Sequence, residues 1–159
     1  MDTIGTEELL RRNREVLDAV KLRRDDFYEA VLNLERALAV PAGDAPELWA
    51  SLVAARVGRV REVLDDHVAG TEGEGGLFEQ LREDAPHLLP GVLRLEAAHD
   101  GLVMQAVALD ASLEHVRGAD DVDRARDASL DLMRVLLEHR HRGAELLYDA
   151  YQVDLSPGD

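Results

Sequence analysis

A chain of 159 residues, 46% hydrophobic and 32% charged, is long enough to bury one continuous core and too apolar to stay disordered. Its 33 acidic and 18 basic residues leave a net charge of −15, which disfavours nucleic acid and anionic membrane surfaces as partners, because affinity for phosphate rests on Lys and Arg. The absence of cysteine excludes a disulfide framework, a thiolate metal site and a cysteine nucleophile.

Ala, Leu, Glu and Arg dominate, all strong helix formers, while aromatics make up only 4%. An all-α single domain over residues 1–159 is expected. The start, Met1-Asp2-Thr3-Ile4-Gly5, lacks a basic region followed by an apolar run, and no stretch approaches the roughly 18 apolar residues of a membrane span. A cytoplasmic protein is the default expectation.

The first predicted helix runs from Thr6, as N-cap, to Val40. Its apolar positions Leu10, Leu17, Val20, Phe27, Val31, Leu34 and Leu38 alternate spacings of three and four, and Pro41-Ala42-Gly43 stops it. Asp44-Ala45-Pro46-Glu47 opens the second with an N-cap, a first-turn proline and an acid at the capping-box spacing. Its stripe is Val53, Val57, Val60, Leu64 and His67. The glycines of Gly70-Thr71-Glu72-Gly73-Glu74-Gly75-Gly76 should end or kink that helix, with a short turn from Leu77 to Asp84 beyond.

Pro86 and Pro90 frame the start of the third helix, whose stripe is Val92, Leu95, His99, Leu102, Ala106 and Leu109. Arg117-Gly118-Ala119 closes it. Asp120-Asp121-Val122-Asp123 begins the fourth, with acids at the positive helix end, and its stripe is Leu132, Val135, Leu136, His139, Gly143, Leu146 and Ala150. Residues 155–159 read as a frayed tail. Short connections favour antiparallel neighbours, hence an antiparallel up-down-up-down four-helix bundle with its second helix broken by the Gly-rich loop.

Four polar residues interrupt the apolar stripes: Arg24, His67, His99 and His139. His99 lies 19 residues before Gly118 and His139 lies 21 after it, so antiparallel packing sets them at nearly one height. Arg24 lies 19 before Gly43 and His67 lies 24 after it, about one helical turn apart. Convergence of side chains from several helices at one level is how bundle metal sites are built. His141 stands about 200° from His139 around the helix and should point outward. His87 and His115 read as structural or exposed, and Trp49 and Phe78 as packing at the bundle ends.

Three stretches carry a resemblance: His67-Val68-Ala69-Gly70-Thr71-Glu72 with Leu77-Phe78, Leu95-Glu96-Ala97-Ala98-His99, and His139-Arg140-His141-Arg142-Gly143-Ala144-Glu145-Leu146-Leu147-Tyr148. Together, over about residues 20 to 152, the chain resembles the hemerythrin-like family. That resemblance implies a four-helix bundle holding two irons with five histidines and two bridging carboxylates. These come from a His on the first helix, His-x-x-x-Glu on the second and fourth, and a His on the third.

The departures from that pattern are specific. No histidine precedes His67; the fourth residue after His67 is Thr71, with Glu72 one place later; the fourth residue after His139 is Gly143. His67, Glu72, His99 and His139 remain as candidate metal ligands, with Glu145 or Asp149 more distant. This set is too small for two irons and leaves a single iron, a single zinc or no metal at all as the expectations.

Other arrangements compete. Glu96-x-x-His99 and Glu138-x-x-His141 match the spacing of ferritin-like di-metal bundles, although the second pair needs His141 inward. Haem between His99 and His139 has no announcing motif. In a metal-free network, Arg24 would take a ligand's place and pair with Glu72 or Glu145.

No serine nucleophile motif, phosphate loop or dinucleotide fingerprint is present, so enzymatic activity is not the expectation. With a metal, the resemblance implies dioxygen, peroxide or nitric oxide as ligand, and a role as sensor or carrier. Without one, the chain would be a regulatory or protein-interaction module, offering the glycine loop and the Tyr148/Tyr151 end to a protein partner.

Overall fold

A computed structural model describes residues 3–152, and all regular structure in them is helical. Four long helices, α1 (Thr3–Ala39), α2 (Pro46–Glu72), α4 (Leu89–Leu113) and α5 (Ala119–Tyr151), are joined by a short α3 (Leu77–Asp84) and one 3₁₀ turn, Pro86–Leu88. The tail expected to fray at 155–159 lies outside the described residues.

The boundaries follow local chemistry. Helix α1 already runs through Thr6, which is therefore not its N-cap; Gly5 costs a helix only about 1 kcal/mol and does not stop it. Pro46 takes the first helical position of α2, so the N-cap falls on Ala45, which has no capping side chain, and Asp44 stands one residue too early to serve. Gly43 and Gly75 hold φ of +53° and +69° in the two turns flanking α2, a region L side chains avoid. At α5 the Asp121 carboxylate accepts from the backbone N–H groups of Arg117 (2.9 Å) and Gly118 (3.2 Å), which satisfies two donors ahead of the first turn.

Leu10, expected in the core, is 58% exposed. The cause is length: α1 spans about 55 Å and its neighbour α2 about 40 Å at the standard rise, so the first turns of α1 overhang their partner. Helix α1 packs on α2, α2 on α4, and α4 on α5. Long arginines bridge α1 and α5. Arg126 donates to the Leu38 carbonyl (3.2 Å) while its guanidinium covers Trp49, and Arg140 lies over the Phe27 and Tyr28 rings at 5.2 and 5.9 Å.

The interior divides into two apolar clusters. The larger is built around Phe27, Leu34, Val57, Leu64, Leu102, Leu132 and Leu136. The smaller contains Val20, Leu77, Phe78, Leu81, Val92, Leu95, Leu146 and Leu147. On α1, α4 and α5 the chain crosses from one cluster to the other through a polar position, and α2, which contributes only to the larger cluster, carries a polar residue near its end. His67 follows Leu64, His99 stands between Leu95 and Leu102, His139 lies between Leu136 and Leu146, and Arg23 and Arg24 separate Val20 from Phe27.

Candidate metal centre

That polar layer brings three imidazoles to one point. The Nε2 atoms of His67, His99 and His139 form a nearly equilateral triangle with edges of 3.2 Å (67 to 139), 3.2 Å (67 to 99) and 3.1 Å (99 to 139). His99 is 1% exposed, His139 is 7% exposed, and His67 is more accessible. The rings fan around the point, with His67 close to perpendicular to both others. Phe78 stacks on His99 at 5.6 Å with planes 10° apart, so it supports the site where the sequence reading set it at a bundle end.

Tautomers follow from the partners. His99 Nδ1 lies 2.5 Å from Glu72 Oε1. An ionised carboxylate only accepts, so Nδ1 carries a proton toward Glu72 while His99 Nε2 faces the other two rings. Glu72 thus occupies the opposite edge of the His99 ring and does not join the three nitrogens. Thr71, in the place of the carboxylate that the resemblance led one to seek, donates its hydroxyl to its own helix at His67 O (2.8 Å) and Val68 O (3.2 Å).

Burial decides the protonation of the ligating rings. Loss of solvent holds His67 well below its ordinary value, and His139, His99, Arg140 and Arg23 push the same way. Burial lowers His139 to about 4, helped by His99, Arg140 and Arg142. These rings are neutral at pH 7. Imidazole nitrogens meeting three at a point cannot all satisfy one another: one inward N–H serves one lone pair, and the third nitrogen faces like polarity. A cation accepts all three lone pairs at once.

The spacing fits one. With metal–nitrogen bonds of roughly 2.0–2.1 Å, ligand nitrogens lie roughly 3.0 Å apart on an octahedral face and roughly 3.3 Å apart on a tetrahedral one. The observed 3.1–3.2 Å falls between. The carboxylate on the far side of His99 is the outer partner that metal-bound histidines usually have.

Beside the triangle lies a cavity of about 40 Å³, lined by His67, His139, Thr71 and Gly143 together with apolar residues such as Leu95 and Leu147. One ordered water needs roughly 10–15 Å³ on this scale, so a small molecule has room. Gly143 adds no side chain to its lining, and a Cβ built there meets nothing within 4 Å.

The remaining sequence candidates sit elsewhere. Arg24 pairs with Asp25 of its own helix at 3.3 Å, while Glu72 is engaged by His99 and Glu145 by the exposed His141 (3.3 Å). The guanidinium groups that reach the cavity belong to Arg23 and Arg140. Helical phase explains the miss: Arg23 and Arg24 lie about 60° to one side and 40° to the other of Val20, and both fall at the edge of the stripe. His141, His87 and His115 are exposed. Among the described residues, His67, His99 and His139 form the one cluster of potential ligand atoms.

No protein-family model, no characterised protein and no solved structure matches the chain.

Proposed function

We propose that the chain binds a single transition-metal ion through His67, His99 and His139, and that the adjoining cavity admits a small exogenous ligand to the face the histidines leave free. The observation that carries this is the triangle of Nε2 atoms with 3.1–3.2 Å edges, in which burial keeps the His67 and His139 rings neutral. Neutral imidazole suits first-row metals such as iron and zinc. Iron is the choice consistent with the hemerythrin-like resemblance. Dioxygen, peroxide or nitric oxide would be the ligand, and the protein a sensor or carrier.

The reading takes the four long helices as an antiparallel up-down-up-down bundle, with Leu77–Asp84 as the second helix resumed after the glycine loop. It makes the centre mononuclear. The carboxylates that would bridge a second metal are replaced by Thr71, whose hydroxyl turns to its own backbone, and by Gly143.

Elemental analysis of protein purified without chelators, with its visible spectrum, tests this. About one metal per chain, lost in a His99→Ala variant that still folds, is the expected result. Two irons per chain with oxo-bridge absorption, or a protein that takes up no Fe²⁺, Zn²⁺ or Co²⁺, would overturn it.

A further inference from the structure

The charge lining the cavity runs opposite to that of the chain. Among the described residues no acid lines it, whereas Arg23 and Arg140 both do, beside His67 and His139. Neither arginine forms an ion pair with a described residue, and the buried Nε of Arg140 has no hydrogen-bond partner.

Arg23 holds a particular place. Its guanidinium crosses α2 at Gly70, where an added Cβ would lie 2.3 Å from Cζ. It lines both the inner cavity and an outer cleft that reaches Arg12, Gly75 and Gly76. A molecule passing from the cleft to the histidines passes this group.

We infer that the cavity is a small-anion site, entered past Arg23 and closed by Arg140, for an anion of about two or three heavy atoms, the size its 40 Å³ allows. This deepens the metal reading by giving the exogenous ligand a negative charge, and it rests on that reading only for the anion's contact with a metal. Two guanidinium groups without carboxylate partners, in a low-dielectric pocket, favour a charge they can hydrogen-bond. The absent side chain at Gly70 is what lets Arg23 lie there.

Azide is the probe, titrated into the full chain both metal-free, by calorimetry, and loaded with Co²⁺, by its visible bands. Azide should bind both forms. Arg23→Gln and Arg140→Gln should each weaken it at least about tenfold, the usual worth of a charge-assisted hydrogen bond. Gly70→Ala should weaken it comparably by displacing Arg23, while Co²⁺ affinity stays unchanged and the helix melts no lower. If Arg140→Gln fails to fold, Arg23→Gln and Gly70→Ala still decide.

Azide affinity indifferent to Arg23, or no azide binding by folded wild type, overturns the inference. Failure of the metal reading looks different: no histidine-ligated Co²⁺ spectrum, but azide binding to the metal-free protein that still depends on Arg23. Co²⁺ bands that form and then ignore azide would sink the anion site and leave the metal centre standing.

Discussion

Glu72 separates two accounts of the centre, because the sequence makes it a ligand while the structure sets it behind one. Its Oε1 accepts from His99 Nδ1 at 2.5 Å, with a third of its side chain exposed. A direct ligand removed by Glu72→Ala would cost most of the metal affinity. An outer partner costs about 10- to 100-fold, or roughly 1.4–2.7 kcal/mol. Glu72→Gln should fall between wild type and Glu72→Ala, since the amide oxygen still accepts from Nδ1–H and keeps the tautomer but loses the charge. In metal-free protein the same truncation leaves Nδ1–H unpaired beside a buried ring, worth about 1–3 kcal/mol. Glu72 also ends α2, where removing an acid returns about 0.3–1 kcal/mol by relieving the helix dipole. A net loss of about 1 kcal/mol is expected. The assay is competition with a calibrated chelator for Zn²⁺, paired with urea unfolding of metal-free protein. Wild-type zinc affinity in Glu72→Ala would refute the outer-partner role, and complete loss of zinc would restore Glu72 as a ligand.

Metal-free stability should depend on pH through the histidine layer. His139 titrates near 6.5 when unfolded and about 4 when folded, so below pH 6.5 the unfolded chain binds more protons and stability falls as pH drops from 6.5 toward 4, by about 3 kcal/mol from this ring. Urea midpoints of wild type and His139→Gln from pH 7.5 to 4.5 check it; parallel profiles would contradict the burial of that ring. Gly143→Ala should stabilise α5 by roughly 0.5–1 kcal/mol, since the new methyl meets open space, and a lowered melting temperature would show the position to be packed. Leu132→Ala, in the larger cluster with no solvent exposure, should cost about 2–5 kcal/mol and leave metal stoichiometry unchanged. Loss of metal there, in protein still folded, would tie the centre to the far core.

Much of the fold was legible because helical periodicity is a strong signal: Val53, Val57, Val60 and Leu64, or Leu102, Ala106 and Leu109, are buried as their spacing demands. The meeting of His67, His99 and His139 was legible from residue counts about Gly43 and Gly118, since helical rise converts sequence distance into height. Three features were not. The overhang of α1 depends on where α2 stops, which Leu10 cannot report. Arg140, one residue past His139, turns about 100° away and crosses to Phe27 and Tyr28, a reach set by a long flexible stem. Glu72 meets His99 because α2 continues through Gly70 to Glu72, where the glycines led one to expect an end or a kink.

The charge balance of the layer bears on what the centre can hold. One carboxylate, Glu72, touches a ring of the triangle, and two guanidinium groups, those of Arg23 and Arg140, line the adjoining cavity. A pair of divalent ions in a low-dielectric interior needs several bridging or terminal acids to offset mutual repulsion. Gly143 supplies no side chain at all, Thr71 spends its hydroxyl on α2, and Glu145 pairs with His141 in solvent. A second metal would therefore meet positive potential from its neighbour and from Arg23 and Arg140, with nothing to answer it. One divalent ion under the same conditions is tolerable but under-neutralised, and the charge it lacks is what an incoming anion brings. Thr71 and Gly143 thus leave the proposed site without the acids a second cation would need, beside three histidines placed to grip one.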